Sequence, residues 1–218
     1  MLISYWSDYA CPYCYIGAAC LKQAVKELQT EQKSLPSIHL VMKSFELDPN
    51  APAHYTGSTT ERFAQKYHLS YEAAAQRIAS ISKMGQNAGL SLCYEETRYT
   101  NTFDAHRLTK LAQNLGGIEL AERISDRLYS AYFCGHLELA DHKVLTRIAM
   151  EEGIPKKEIQ ELLSSDRFSD HVRQDELEAD QRGIHAVPFF AVSQEISIPG
   201  ALPPDQMKQI LLRSLKQN

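Results

Sequence analysis

The chain has 218 residues, 44% hydrophobic and 23% charged, with a formal net charge of −4. That length makes one large domain or two small ones, with a core that needs no disulfide staples. No basic block and no long apolar run is present, which argues against a nucleic-acid footprint, a polybasic membrane patch and a transmembrane helix.

In chain order, Leu2 to Asp8 is short, apolar and aromatic, and Tyr9-Ala10-Cys11-Pro12 ends it as a turn would. It is expected to be a buried strand. The N-terminal residues lack the basic and long apolar regions of an export signal, so a cytoplasmic protein is expected. A helix should run from Pro12 to about Gln29, because proline suits a first helical position and Leu21, Ala24, Val25 and Leu28 share one face. Pro36 breaks the chain, Ile38 to Leu47 reads as a second strand, and Asp48-Pro49-Asn50-Ala51-Pro52 ends it.

Residues 58 to 164 carry helical signals throughout. Ser70 is placed to cap a helix that ends near Gly89. Asn101 followed by Asp104 marks another start, and that helix should stop at Gly116-Gly117. Further helices are expected over Ile118 to Cys134, Asp141 to Glu152, Pro155 to Ser164 and Asp166 to Arg182. A loop then leads into the apolar strand ending at Val192, with Glu195 to Ile198 as a hairpin partner and Pro204 to Lys216 as a terminal amphipathic helix. The order is β-α-β, a helical block, then α-β-β-α. That is an α/β core, residues 1–57 and 165–218, with a helical insertion over 58–164.

The chemistry centres on Cys11-Pro12-Tyr13-Cys14, where a strand gives way to a helix. Free backbone N–H groups and the positive end of the helix dipole stabilise a thiolate there. Cysteine pKa values at such positions fall from about 8.5 to roughly 3.5–7.5. At about 100° per residue, Cys14 lies on the core-facing stripe and Cys11 at its exposed end. Cys11 is therefore expected to attack a disulfide and Cys14 to resolve the mixed disulfide.

Cys20 lies about 180° around the helix from Cys11 and reads as a small buried hydrophobe. Cys93 and Cys134 read the same way, with mutual pairing left open. A zinc site would need two further ligands at regular spacing, and the other cysteines and the eight histidines offer no such pair. No metal and no bound cofactor are expected.

These residues resemble the DsbA-like thioredoxin-fold oxidoreductases, specifically the FrnE-like branch. Ser7 to Gly17 matches the active-site segment, Asn101 to Leu108 a motif of the helical insertion, and Val187-Pro188-Phe189-Phe190 the loop before the third strand. The resemblance implies a thioredoxin fold with a large all-helical insertion, in which Pro188 is cis and faces the cysteines. It also implies that the Val187 backbone bonds an extended substrate segment, as in strand addition. Two features depart from relatives: Pro-Tyr between the cysteines, where DsbA has Pro-His, and His185-Ala186 where many carry a glycine.

Tyr13 is expected beside Cys11, in reach of substrate. Asp8 has two readings, proton transfer to or from Cys14 through water, or a cap on the loop or helix. His185 reads as a surface or packing residue, Asn101 as a cap, and Phe103 and Leu108 as packing residues; His106 facing the cleft is the lesser alternative.

The leading function is a thiol–disulfide oxidoreductase or isomerase acting on a disulfide- or dithiol-containing protein or small thiol, with glutathione as a possible redox partner. The alternatives are a glutathione-dependent isomerase or transferase, similar to 2-hydroxychromene-2-carboxylate isomerase, and a non-enzymatic redox sensor or chaperone-like binder. Relatives of the second kind generally present serine where Cys11 stands.

Overall fold

A computed structural model describes residues 1–33, 35, 37–193 and 196–217. The break expected at Pro36 and the hairpin start expected at Glu195 lie outside the described residues. The elements are β1 (Leu2–Ser7), α1 (Pro12–Glu31), β2 (His39–Ser44), α2 (Thr59–Tyr67), α3 (Tyr71–Asn87), α4 (Phe103–Phe133), α5 (His142–Glu151), α6 (Lys156–Leu163), α7 (Ser169–Gln181), β3 (Phe189–Ala191), β4 (Ser197–Pro199) and α8 (Pro204–Gln217).

The four strands form one sheet in the order β2-β1-β3-β4. β1 runs parallel to β2, with Leu2 opposite His39 and Ser7 opposite Ser44. β3 runs antiparallel to β1, with Tyr5 opposite Phe190, and β4 runs antiparallel to β3. The parallel pair needs a crossover, which α1 supplies. β2 is shorter than expected because beyond Ser44 the chain turns toward the end of β1, where the Leu47 N–H donates to Asp8 at 2.7 Å.

Local chemistry fixes the helix starts. Ser58 and Glu61 close a capping box on α2. Ser70 accepts from the Ala73 N–H at 3.2 Å, and Asp141 from the Lys143 N–H at 2.8 Å. The stop expected at Gly116-Gly117 is instead a kink inside α4. Gly116 (φ −138°) and Gly117 (φ +68°) leave helical geometry for two residues, and the helix resumes at once. Glycine takes the positive φ without a Cβ penalty, and no polar linker follows to separate the two halves.

One buried cluster joins Ile3, Tyr5, Leu21 and Leu28 of the sheet and α1 to Leu108, Leu111, Tyr129 and Phe133 of α4. Trp6 packs in a smaller cluster with Ala179 of α7 and Ile184. Asp175 of α7 fastens that helix to β2, accepting the Ser44 N–H at 2.7 Å and the Lys110 ammonium. Arg107, only 4% exposed, donates to the carbonyls of Leu162, Ser165 and Arg167 and so ties α4 to the connection between α6 and α7. Among the described residues no helix is long and apolar enough to cross a membrane.

Candidate active site

β1 ends at Ser7, and the turn over Asp8 to Ala10 delivers Cys11 to the N-cap of α1. The Cys11 N–H donates to the Asp8 carbonyl at 3.1 Å, and the Cys11 carbonyl accepts from the N–H groups of Cys14 (3.1 Å) and Tyr15 (3.3 Å). Pro12 occupies the first turn, so one N–H that would lack a partner is absent. Cys11 and Cys14 are free thiols on successive turns.

Cys14 is fully buried. Burial pushes its thiol well above the ordinary cysteine range, and the neighbouring Cys11 adds to the rise; contacts with Ser7 and with the Asp8 backbone only partly offset it. The Cys11 sulfur lies 3.7 Å from the Val187 carbonyl oxygen. The Val187–Pro188 peptide bond is cis. Pro188 is buried and Val187 half-buried, while His185 is exposed.

Cys11 was expected at an exposed helix end, yet it is only 4% exposed. The helical block explains the difference. Phe63 and Tyr67 of α2, with Tyr94 and Tyr99 of the segment between α3 and α4, form with Tyr13 and Leu47 a cleft that has Cys11 among its lining. Tyr13 is 40% exposed, at the rim. Burial pushes the Tyr94 hydroxyl up to about 12 and also raises Tyr13 and Tyr99, so these hydroxyls are neutral at neutral pH. Arg62 and Lys66 also line this cleft. Sequence reasoning missed both; the capping box of α2 was a usable signal for a helix, but nothing local indicates that its face covers the cysteines.

Asp8 is a structural crosslink. Its carboxylate accepts from the Ala10 N–H (3.2 Å), the Leu47 N–H (2.7 Å) and the Thr102 hydroxyl (2.8 Å), and the His106 Nε2 lies 3.5 Å away. Burial alone would raise its pKa, but the His106 contact and these hydrogen bonds outweigh it and hold the carboxyl below its usual value. The bond to Ala10 caps the turn before Cys11. His106 is buried against Asp8 and the Tyr9 ring, 4.9 Å between centroids. Tyr9 donates or accepts at Thr109 (2.5 Å) and Ser125 (2.9 Å), on opposite sides of the α4 kink. Asn101 accepts the Phe103 N–H at 2.9 Å, and Leu108 is fully buried.

The remaining cysteines stand apart. Cys20 is buried on α1. Among the described residues, the one cluster of three candidate metal ligands is Cys93, Glu96 and His136, and it includes neither Cys11 nor Cys14.

Gly17 sets the approach of α1 to the Pro188 loop. A Cβ there would sit 3.1 Å from Pro188 Cγ and 3.1 Å from Phe190 Cζ. Gly17→Val should therefore destabilise the protein by about 1–3 kcal/mol through overpacking. A melting curve lowered by several degrees checks it, and an unchanged midpoint would show that the loop yields freely.

The family model for the DSBA-like thioredoxin domain matches residues 2–212. An uncharacterized protein of Bacillus subtilis (strain 168), YwbO, is 26% identical over 96% of this chain and 94% of its own. The crystal structure of the probable DsbA oxidoreductase SCO1869 from Streptomyces coelicolor is 29% identical and superposes with a TM-score of 0.89, covering 100% of this chain and 91% of that one. The cytosolic disulfide reductase DsbM from Pseudomonas aeruginosa, solved with GSH, shares the fold at a TM-score of 0.65 and 16% identity, covering 99% and 100% of the two chains.

Proposed function

The chain belongs to the DSBA-like thioredoxin domain family, and from that premise we propose that it is a thiol–disulfide oxidoreductase in which Cys11 attacks and Cys14 resolves. The observation that carries this reading is the placement of the two thiols. Cys11 sits at the N-terminus of α1 beside the Val187 carbonyl, and Cys14 is sealed one turn behind it. A substrate disulfide exchanges with the Cys11 thiolate, one substrate sulfur leaves, and a mixed disulfide forms. Cys14 then loses its proton and attacks the Cys11 sulfur. The second substrate sulfur leaves with the electron pair, and the protein pair ends oxidised. Run backwards, the same steps oxidise a substrate dithiol.

Burial keeps Cys14 protonated until that second step, so the resting nucleophile is Cys11. The Val187 N–H has no protein acceptor among the described residues, which leaves it open to pair with a substrate backbone beside Cys11. The similar fold of DsbM, a cytosolic disulfide reductase solved with GSH, supports glutathione as a redox partner here and a reducing compartment.

Equilibration in glutathione buffers of graded potential, followed by alkylation and mass spectrometry, tests the reading. A reversible Cys11–Cys14 couple is expected, with Cys11 alkylating faster in the reduced protein. No reversible couple, or equal alkylation of both thiols, would overturn it.

A further inference from the structure

The cleft over Cys11 has a charge pattern that runs against the rest of the molecule. The chain carries a net charge of −4. The charged side chains lining the cleft are Arg62 and Lys66, both cationic, and no carboxylate joins them. Both project from one face of α2, together with Phe63 and Tyr67. Among the described residues neither cation forms a salt bridge. The acids nearby are engaged elsewhere: Glu61 accepts the Ser58 N–H at 3.2 Å in the capping box, and Asp48 accepts the Tyr99 hydroxyl at 2.8 Å.

Arg62 is fixed rather than waving in solvent. Its guanidinium carbon lies 3.8 Å over the Tyr99 ring, and its buried Nε has no hydrogen-bond partner. A guanidinium stacked on an aromatic ring keeps its fork of N–H donors in one plane, the geometry that suits a carboxylate. Lys66, one turn further along α2, adds a second charge at the more exposed position.

We propose that Arg62 and Lys66 form a carboxylate-binding subsite that selects small anionic disulfides and thiols for reaction at Cys11. The proposal rests on the Cys11 reading given above. It favours a small compound because Cys11 is nearly covered and lies below an aromatic wall. In the reaction, the Cys11 thiolate breaks the S–S bond of a dicarboxylate disulfide and forms a mixed disulfide, releasing one carboxylate-bearing thiolate. Cys14 displaces the second. The compound gains two electrons, the protein loses two, and the protons of Cys11 and Cys14 end on the two released thiols.

Three small disulfides of similar size separate the ideas: dithiodipropionate (anionic), hydroxyethyl disulfide (neutral) and cystamine (cationic). The rate of Cys11 loss in the reduced protein is measured with each, relative to the same disulfide's rate with free dithiothreitol. The wild type should favour the anion over the neutral compound by about tenfold, a preference that shrinks as salt is raised. Arg62→Gln with Lys66→Gln should abolish the preference, read within the variant as the ratio of its rates with the anionic and the neutral compound. Lys66→Gln alone, at an exposed position, should lose part of it and covers the case in which the double variant fails to fold. Equal normalised rates for the three compounds in the wild type, or a preference that survives the loss of both cations, would overturn the subsite and leave Cys11 as nucleophile. Failure of Cys11 to react with any of the three would overturn the oxidoreductase reading itself.

Discussion

Cys14→Ser should arrest the reaction halfway. The variant should still attack a disulfide through Cys11, then accumulate the mixed disulfide visible as a mass increase on the intact protein, with multiple turnover reduced by about 100-fold or more. Cys11→Ser should give no adduct and no turnover above background, a loss of about 1,000-fold or more. The asymmetry follows from position: Cys11 borders the cleft, and Cys14 is fully buried behind it in the core. Intact-protein mass spectrometry and a coupled disulfide-reduction assay check both variants. Full turnover in Cys14→Ser would point instead to a glutathione-dependent isomerase or transferase that needs one nucleophile.

The second large effect is on stability. Asp8→Ala removes a buried anion that serves two backbone N–H groups and a hydroxyl and lies beside His106. Stranding those groups should cost about 3–5 kcal/mol, which lowers the melting temperature by roughly 10 °C for a chain of this size. The effect depends on pH. The folded-state pKa of Asp8 lies below its unfolded value, so its contribution is complete above the ordinary carboxylate range of about 4 and fades as pH falls through the folded-state value. Denaturant titrations of wild type and variant should therefore differ fully at neutral pH and converge in strong acid. A gap that stays constant into acid would show that the lost packing, and not the charge, accounts for the difference.

The parts legible in the sequence are those fixed by short-range chemistry. A strand followed by Cys-Pro-x-Cys defines the β1 to α1 junction, because proline and the cysteine spacing are local signals. Ser70 and Asp141 were visible as helix starts for the same reason. The kink at Gly116-Gly117 was legible as a break, but the sequence could not distinguish a bend from an ending, since that depends on whether Leu120 and Ile124 find the same core as Leu108 and Leu111. The covering of Cys11 was not legible at all. It depends on where α2 and the loop to Tyr99 are carried in space, and no periodicity encodes that. Arg62 and Lys66 escaped notice because two cations on an amphipathic helix look like any solvated face until the opposite wall is known. Asp8 showed one face of its role in the sequence, the turn it caps, while the bonds to Leu47 and Thr102 come from segments 39 and 94 residues away.

Tyr9 has a mechanical consequence. Its hydroxyl bridges Thr109 and Ser125, one on each arm of the bent α4, and its backbone lies two residues before Cys11. It is the pin of a hinge. Neither arm can swing about the glycine pair without breaking a bond to the segment that carries the nucleophile.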